Sequence, residues 1–111
     1  MLQVNFFRDA QNRLAALSAC GHADFDEYGE DIVCAAISAI LQAARLGLEH
    51  YAGGEIEAIQ EPGKLRIDCA PTARDKESVA AILTAAELAV TQVARRYPEH
   101  VSLACERIGK T

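Results

Sequence analysis

The stretch 55-EIEAIQEPGKLRIDCA-70 decides the fold. Leu65, Ile67 and Cys69 alternate with Arg66 and Asp68, the two-residue period of a half-buried strand. Residues 55–61 and 65–70 flank Pro62-Gly63-Lys64. That is turn chemistry, because proline presets φ and glycine supplies a positive φ. The stretch therefore reads as a β-hairpin. Gly53-Gly54 precedes it and Pro71 follows it, so a different element is expected on each side.

Upstream, residues 32–51 repeat apolar side chains at Ile37, Ile40, Leu41, Ala44, Leu48 and Tyr51, the spacing of a helix stripe. Ala35, Ala36, Ala39 and Ala43 fill much of the remaining surface, which suggests a central helix covered on several sides. Asp31 is placed to cap it, accepting from the N–H of Cys34. Downstream, residues 75–97 carry a second stripe of Val79, Ile82, Leu83, Ala86, Val90, Val93 and Tyr97. Asp75 is placed as its cap and Pro98 as its stop. Further out, residues 2–7 alternate and residues 13–20 follow the turn chemistry of Asp9 to Asn12, giving a first hairpin that Gly21 ends. Residues 100–107 alternate again. The order is ββαββαβ. It predicts an α+β two-layer sandwich, a mostly antiparallel sheet packed with two long helices, in a single domain over 1–111. The two ββα halves share an order but no sequence.

Composition narrows the partners. The chain has 111 residues, half of them apolar, and a net charge of −5. That argues against direct nucleic-acid binding, which needs a basic face, and permits a basic partner. The longest uncharged run, Ile32 to Ala44, is short of the roughly 20 apolar residues that span a bilayer. MLQVNFFRDA lacks the layout of a signal peptide. No membrane association and a cytoplasmic location are expected, with Cys20, Cys34, Cys69 and Cys105 reduced. These cysteines are 14, 35 and 36 residues apart, without a C-x-x-C pair, so neither a metal site nor a cofactor is expected. Cys69 and Cys105 fall in phase with apolar strand faces and read as core, and Cys20 reads similarly.

Cys34 stands apart. Five acids, Asp24, Asp26, Glu27, Glu30 and Asp31, crowd into eight positions just before it. At the first turn of a helix its sulfur would meet unpaired N–H groups and the positive end of the dipole, which favour a thiolate. The acids oppose a second negative charge and favour a protonated His22. A thiolate and an imidazolium could then form together, with helix N–H groups left for an oxyanion. The bland alternative is a buried helix cysteine and a solvated loop histidine. The acidic run has two readings as well. It is either a solvated loop, or a mobile flap that attracts a basic substrate, with Phe25 and Tyr28 for apolar grip and Gly29 as hinge. Ser38 lies one turn after Cys34 and either bonds near the thiol or caps a carbonyl.

Gly21-His22-Ala23, then Gly29-Glu30-Asp31-Ile32-Val33-Cys34-Ala35-Ala36-Ile37-Ser38, closely resembles the signature of the ribosomal-processing cysteine proteases. The opening hairpin with Arg8-Asp9 and the Tyr97-Pro98 closing the second helix fit as well. The resemblance implies a cysteine endopeptidase that removes the N-terminal extension of a large-subunit ribosomal protein, cutting after a short apolar segment with paired phenylalanines. It implies Cys34 as nucleophile and His22 as general base. Gly21, Asp31 and Ser38 match positions that shape the site. It further implies a homodimer and a flexible loop between histidine and cysteine, which here includes Asp24, Asp26, Glu27, Tyr28 and Gly29. A second class stays open: a non-catalytic ribosome-assembly or ribosome-associated factor on the same fold.

Overall fold

The computed structural model describes residues 1–21 and 28–109, except for the side chains of 28–31. Among the described residues the elements follow the expected order: β1 (Leu2–Arg8), β2 (Leu14–Cys20), α1 (Tyr28–Ala52), a 3-10 turn (Gly53–Glu55), β3 (Ile56–Glu61), β4 (Lys64–Cys69), α2 (Glu77–Arg96) and β5 (Val101–Arg107). The strands form one sheet in the order β3-β4-β2-β1-β5. β1–β2, β2–β4 and β3–β4 are antiparallel, and β1–β5 is parallel. The expected α+β class and its order are observed.

Both helices are crossovers between strands that run the same way, α1 from β2 to β3 and α2 from β4 to β5. The two crossovers step in opposite lateral directions from oppositely directed strands. A right-handed connection therefore puts both helices on the same face. Burial agrees with this. Leu2, Val4, Phe6, Leu65, Ile67 and Cys69 are buried, and above them lie Val33, Ile37, Leu41 and Leu48 of α1 with Val79, Leu83 and Val90 of α2. The other sheet face stays open. There Arg66 lies 4.6 Å from the centre of the Phe7 ring and grips Asp68 through two hydrogen bonds of 2.9 Å.

One-sided cover corrects the expectation for α1. Ile32 (64%), Leu46 (65%) and Tyr51 (59%) are exposed, so α1 is not a helix wrapped on several sides. By length and composition both helices would pass as membrane spans, yet each packs an apolar stripe on the sheet. The cysteines need correction too. Cys69 is buried, but Cys20 and Cys105 are exposed. Cys20 pairs with Gln3, whose side chain is exposed, and so falls on the open face. Cys105 is in phase with the helix side, but β5 is an edge strand. Cover fades along it from buried Val101 through half-buried Leu103 to Cys105. Asp75 does not cap α2. Lys76 occupies that position without a side-chain bond, and Asp75 accepts from Arg13 instead (2.8 Å).

A buried carboxylate ties the first turn to the end of β4. Asp9 accepts from the backbone N–H groups of Gln11 (2.9 Å) and Arg13 (3.0 Å), and from the side chains of Arg13 (3.0 Å) and Arg74 (3.1 Å). Arg74 also donates to the Cys69 carbonyl (2.9 Å). Burial opposes the Asp9 charge, but the backbone and guanidinium donors outweigh it and hold the carboxyl at about 2.

Candidate active site

Cys34, Ser38 and Gln42 recur at intervals of four, so α1 presents them along one stripe. All three line a cleft of about 160 Å³ at one end of the sheet. Its apolar wall comes from Leu2, Ala19, Ile37, Leu41 and Leu65, and its rim includes Gly21, Gly63 and Lys64. The β3–β4 turn closes the rim. Gly63, at φ +76°, occupies the position of a type II turn that requires positive φ, after Pro62. Its carbonyl accepts from the N–H of Gly21 (3.1 Å). Gly21 itself sits at φ +94°, and a Cβ there would lie 2.6 Å from the Met1 carbonyl oxygen. Glycine is therefore required at this position on conformation and on space.

The structure brings together three of the expected site residues, Gly21, Cys34 and Ser38. His22, Asp24, Asp26 and Glu27 lie outside the described residues, as does the side chain of Asp31. Tyr28 and Gly29 belong to α1 rather than to a loop, because the helix begins at Tyr28 and not at residue 32. That start has two consequences. Asp31 lies inside the first turn and is not the N-cap. Cys34 lies six residues in, about 9 Å up the axis from the helix start. The unpaired N–H groups and the dipole act within the first turn. The helix end is therefore not the support for a Cys34 thiolate or an oxyanion that the sequence suggested. Ser38 makes no hydrogen bond among the described residues, so it neither bonds the thiol nor caps a carbonyl.

Cys34 is half-buried and lines the cleft. Cys69 is fully buried, and burial pushes that thiol up to about 11 and keeps it protonated and inert. Among the described residues no cluster of three His, Cys, Asp or Glu could hold a metal ion.

The sequence did not point to Gln42, Gln60, Glu61 or the apolar wall. Gln42 was findable, since it continues the Cys34–Ser38 spacing. Gln60 was not, because only the fold brings β3 beside α1. Its Oε1 accepts from Gln42 Nε2 (3.0 Å) and from Arg45 Nη1.

A half-buried helix thiol at the wall of an open, mostly apolar cleft suits a cysteine hydrolase on an α+β scaffold. The chain matches the family model for cysteine protease Prp over residues 1–102 and belongs to that family; it is a cysteine protease. A crystal structure of SMU.848 from Streptococcus mutans is 30% identical, with a TM-score of 0.82, covering 97% of this chain and 96% of that one. Two crystal structures of the essential ribosomal processing protease Prp from S. aureus, one with a covalently linked product peptide and one with a substrate peptide, also match. Each is 23% identical with a TM-score of 0.82, covering 95% of this chain and 99% of that one. At that identity the likeness shows the fold. A search among curated proteins finds no match.

Proposed function

We propose that this protease removes the N-terminal extension of a large-subunit ribosomal protein, with Cys34 as nucleophile and His22 as general base. The observation that carries this reading is that Gly21 and Cys34 line the same cleft. Gly21 is the residue before His22, and its bond to the Gly63 carbonyl holds it at the rim of that cleft. His22 takes the thiol proton as Sγ attacks the scissile carbonyl carbon. It returns that proton to the departing amine, which leaves as the new N-terminus of the ribosomal protein. Water activated by His22 then attacks the thioester, frees the extension as a carboxylic acid and restores the thiol. The Ser38 hydroxyl, one turn from Cys34 and without a partner among the described residues, is available to the bound chain. The apolar wall of Ile37, Leu41 and Leu65 suits an apolar segment at the cut.

Supporting features extend to assembly and setting. Ile32, Leu46 and Leu88 are exposed on the helical layer, in keeping with a homodimer. Four unpaired cysteines suit the reducing cytoplasm. A charge of −5 suits a basic protein partner rather than nucleic acid. The test is to incubate the purified protein with its cognate extended ribosomal precursor. Cleavage should release the extension, Cys34→Ala should abolish it, and His22→Ala should slow it by orders of magnitude. An intact precursor after prolonged incubation with wild-type protein would refute the reading.

A further inference from the structure

We infer that the substrate chain docks as a sixth strand on the free edge of β3, which leads it to Cys34. This deepens the proposed function and rests on it.

Ladder geometry supplies the first support. The N–H of Ala70 donates to the carbonyl of Glu55 (2.8 Å), which makes Glu55 and Ala70 a hydrogen-bonded pair. The register continues Glu57↔Asp68, Ile59↔Arg66 and Glu61↔Lys64. Hydrogen-bonded pairs alternate with non-bonded ones in an antiparallel ladder. Glu57, Ile59 and Glu61 therefore spend their backbone groups on β4, while Ile56, Ala58 and Gln60 turn theirs outward. The N–H of Ile56 is taken by the Gly53 carbonyl. The Ile56 carbonyl and both backbone groups of Ala58 and Gln60 are left, without a partner among the described residues. β3 is an edge of the sheet, and such an edge is a template for an extended chain.

Continuity with the site supplies the second. The outward row ends at Gln60, which lines the cleft that holds Cys34. Over that end of β3, α1 presents Gln42 and Arg45, both bonded to the Gln60 side chain. Ser38 and Cys34 continue the same stripe of α1. A chain paired to Ala58 and Gln60 would therefore run below this stripe, and its next residues would enter the cleft under the thiol. Pairing through backbone groups fixes the chain's depth and leaves alternate side chains to the cleft wall, as an endopeptidase requires.

The experiment uses wild-type enzyme and a synthetic peptide spanning the cleavage site, with each backbone nitrogen methylated in turn. Strand pairing predicts a rise in KM at every second position on one side of the scissile bond and little effect between. Losing one or two backbone hydrogen bonds makes that rise about tenfold. Ala58→Pro removes an outward N–H without touching the β4 ladder, and should raise KM by a similar factor with a smaller effect on kcat. If this variant fails to fold, the methylation scan on wild-type enzyme still decides. Cleavage of the unmodified peptide with no period-two pattern would overturn the strand docking alone. No cleavage of any peptide would instead overturn the proposed function.

Discussion

Gly21→Ala puts the anchoring of the site to a quantitative test. Two costs act at this position. A side chain at φ +94° sits in the left-handed half of φ/ψ space, at about 1–2 kcal/mol. Its Cβ would also lie 2.6 Å from the Met1 carbonyl oxygen and 3.7 Å from the Leu2 Cα. The Met1 backbone must shift to admit the Cβ, and φ cannot relax without breaking the Gly21–Gly63 bond. The sum is about 2 kcal/mol, which for a chain of this size lowers the thermal midpoint by on the order of 10 °C. Gly53→Ala is the control, because a Cβ there meets nothing within 4 Å. Thermal unfolding followed by circular dichroism measures both variants. Cleavage by Gly21→Ala, assayed well below its midpoint, should fall further than stability alone explains, since Gly21 lines the Cys34 cleft and directly precedes His22. A Gly21→Ala midpoint within about 2 °C of wild type, with full cleavage, would refute this account of the turn.

Asp9→Asn leaves Arg13 and Arg74 around a neutral side chain and should cost about 3 kcal/mol in urea unfolding at pH 7. The Asp9 carboxyl is depressed to about 2, so its contribution is complete above its ordinary value of 3.8 and is lost as pH falls through about 2. The gap between variant and wild type should therefore close in strong acid. Partial burial and then the Glu87 carboxylate push the Cys105 thiol up to about 11. Glu87→Gln should then speed alkylation of Cys105, followed by peptide mapping, and leave Cys69 slow. For the acidic segment, changing Asp24, Asp26 and Glu27 to Asn and Gln should raise KM for a peptide with basic residues after the cut and flatten its ionic-strength dependence. An unchanged salt dependence would mean that these acids do not attract the substrate.

Element order was legible because turn chemistry and periodicity agreed at Pro62-Gly63 and along both helical stripes. The sequence does not show how far cover reaches sideways. Cys69 and Cys105 have the same phase, yet only Cys69 lies on an inner strand. Tyr51 fits the stripe by spacing and is exposed, while Leu48 and Ala52 carry the buried face of α1 to its last residue. Asp31 does not mark the start of α1, since a good capping residue is equally compatible with a first-turn position, where its charge also suits the dipole. At the site, Cys34, Ser38 and Gly21 were legible from local pattern. Gln60 and the Gly63 carbonyl were not, because their role depends on β3–β4 docking beside β2, a contact between residues some forty positions apart that no short motif encodes.

The central claim is that Cys34 forms the covalent bond to substrate. Acid-quenching the enzyme during turnover of its precursor, then mapping peptides by mass spectrometry, tests it most directly. The account predicts a thioester joining the extension's new C-terminus to Cys34, absent from Cys20, Cys69 and Cys105. Turnover with the acyl group on another residue, or undiminished turnover by Cys34→Ala, would contradict it.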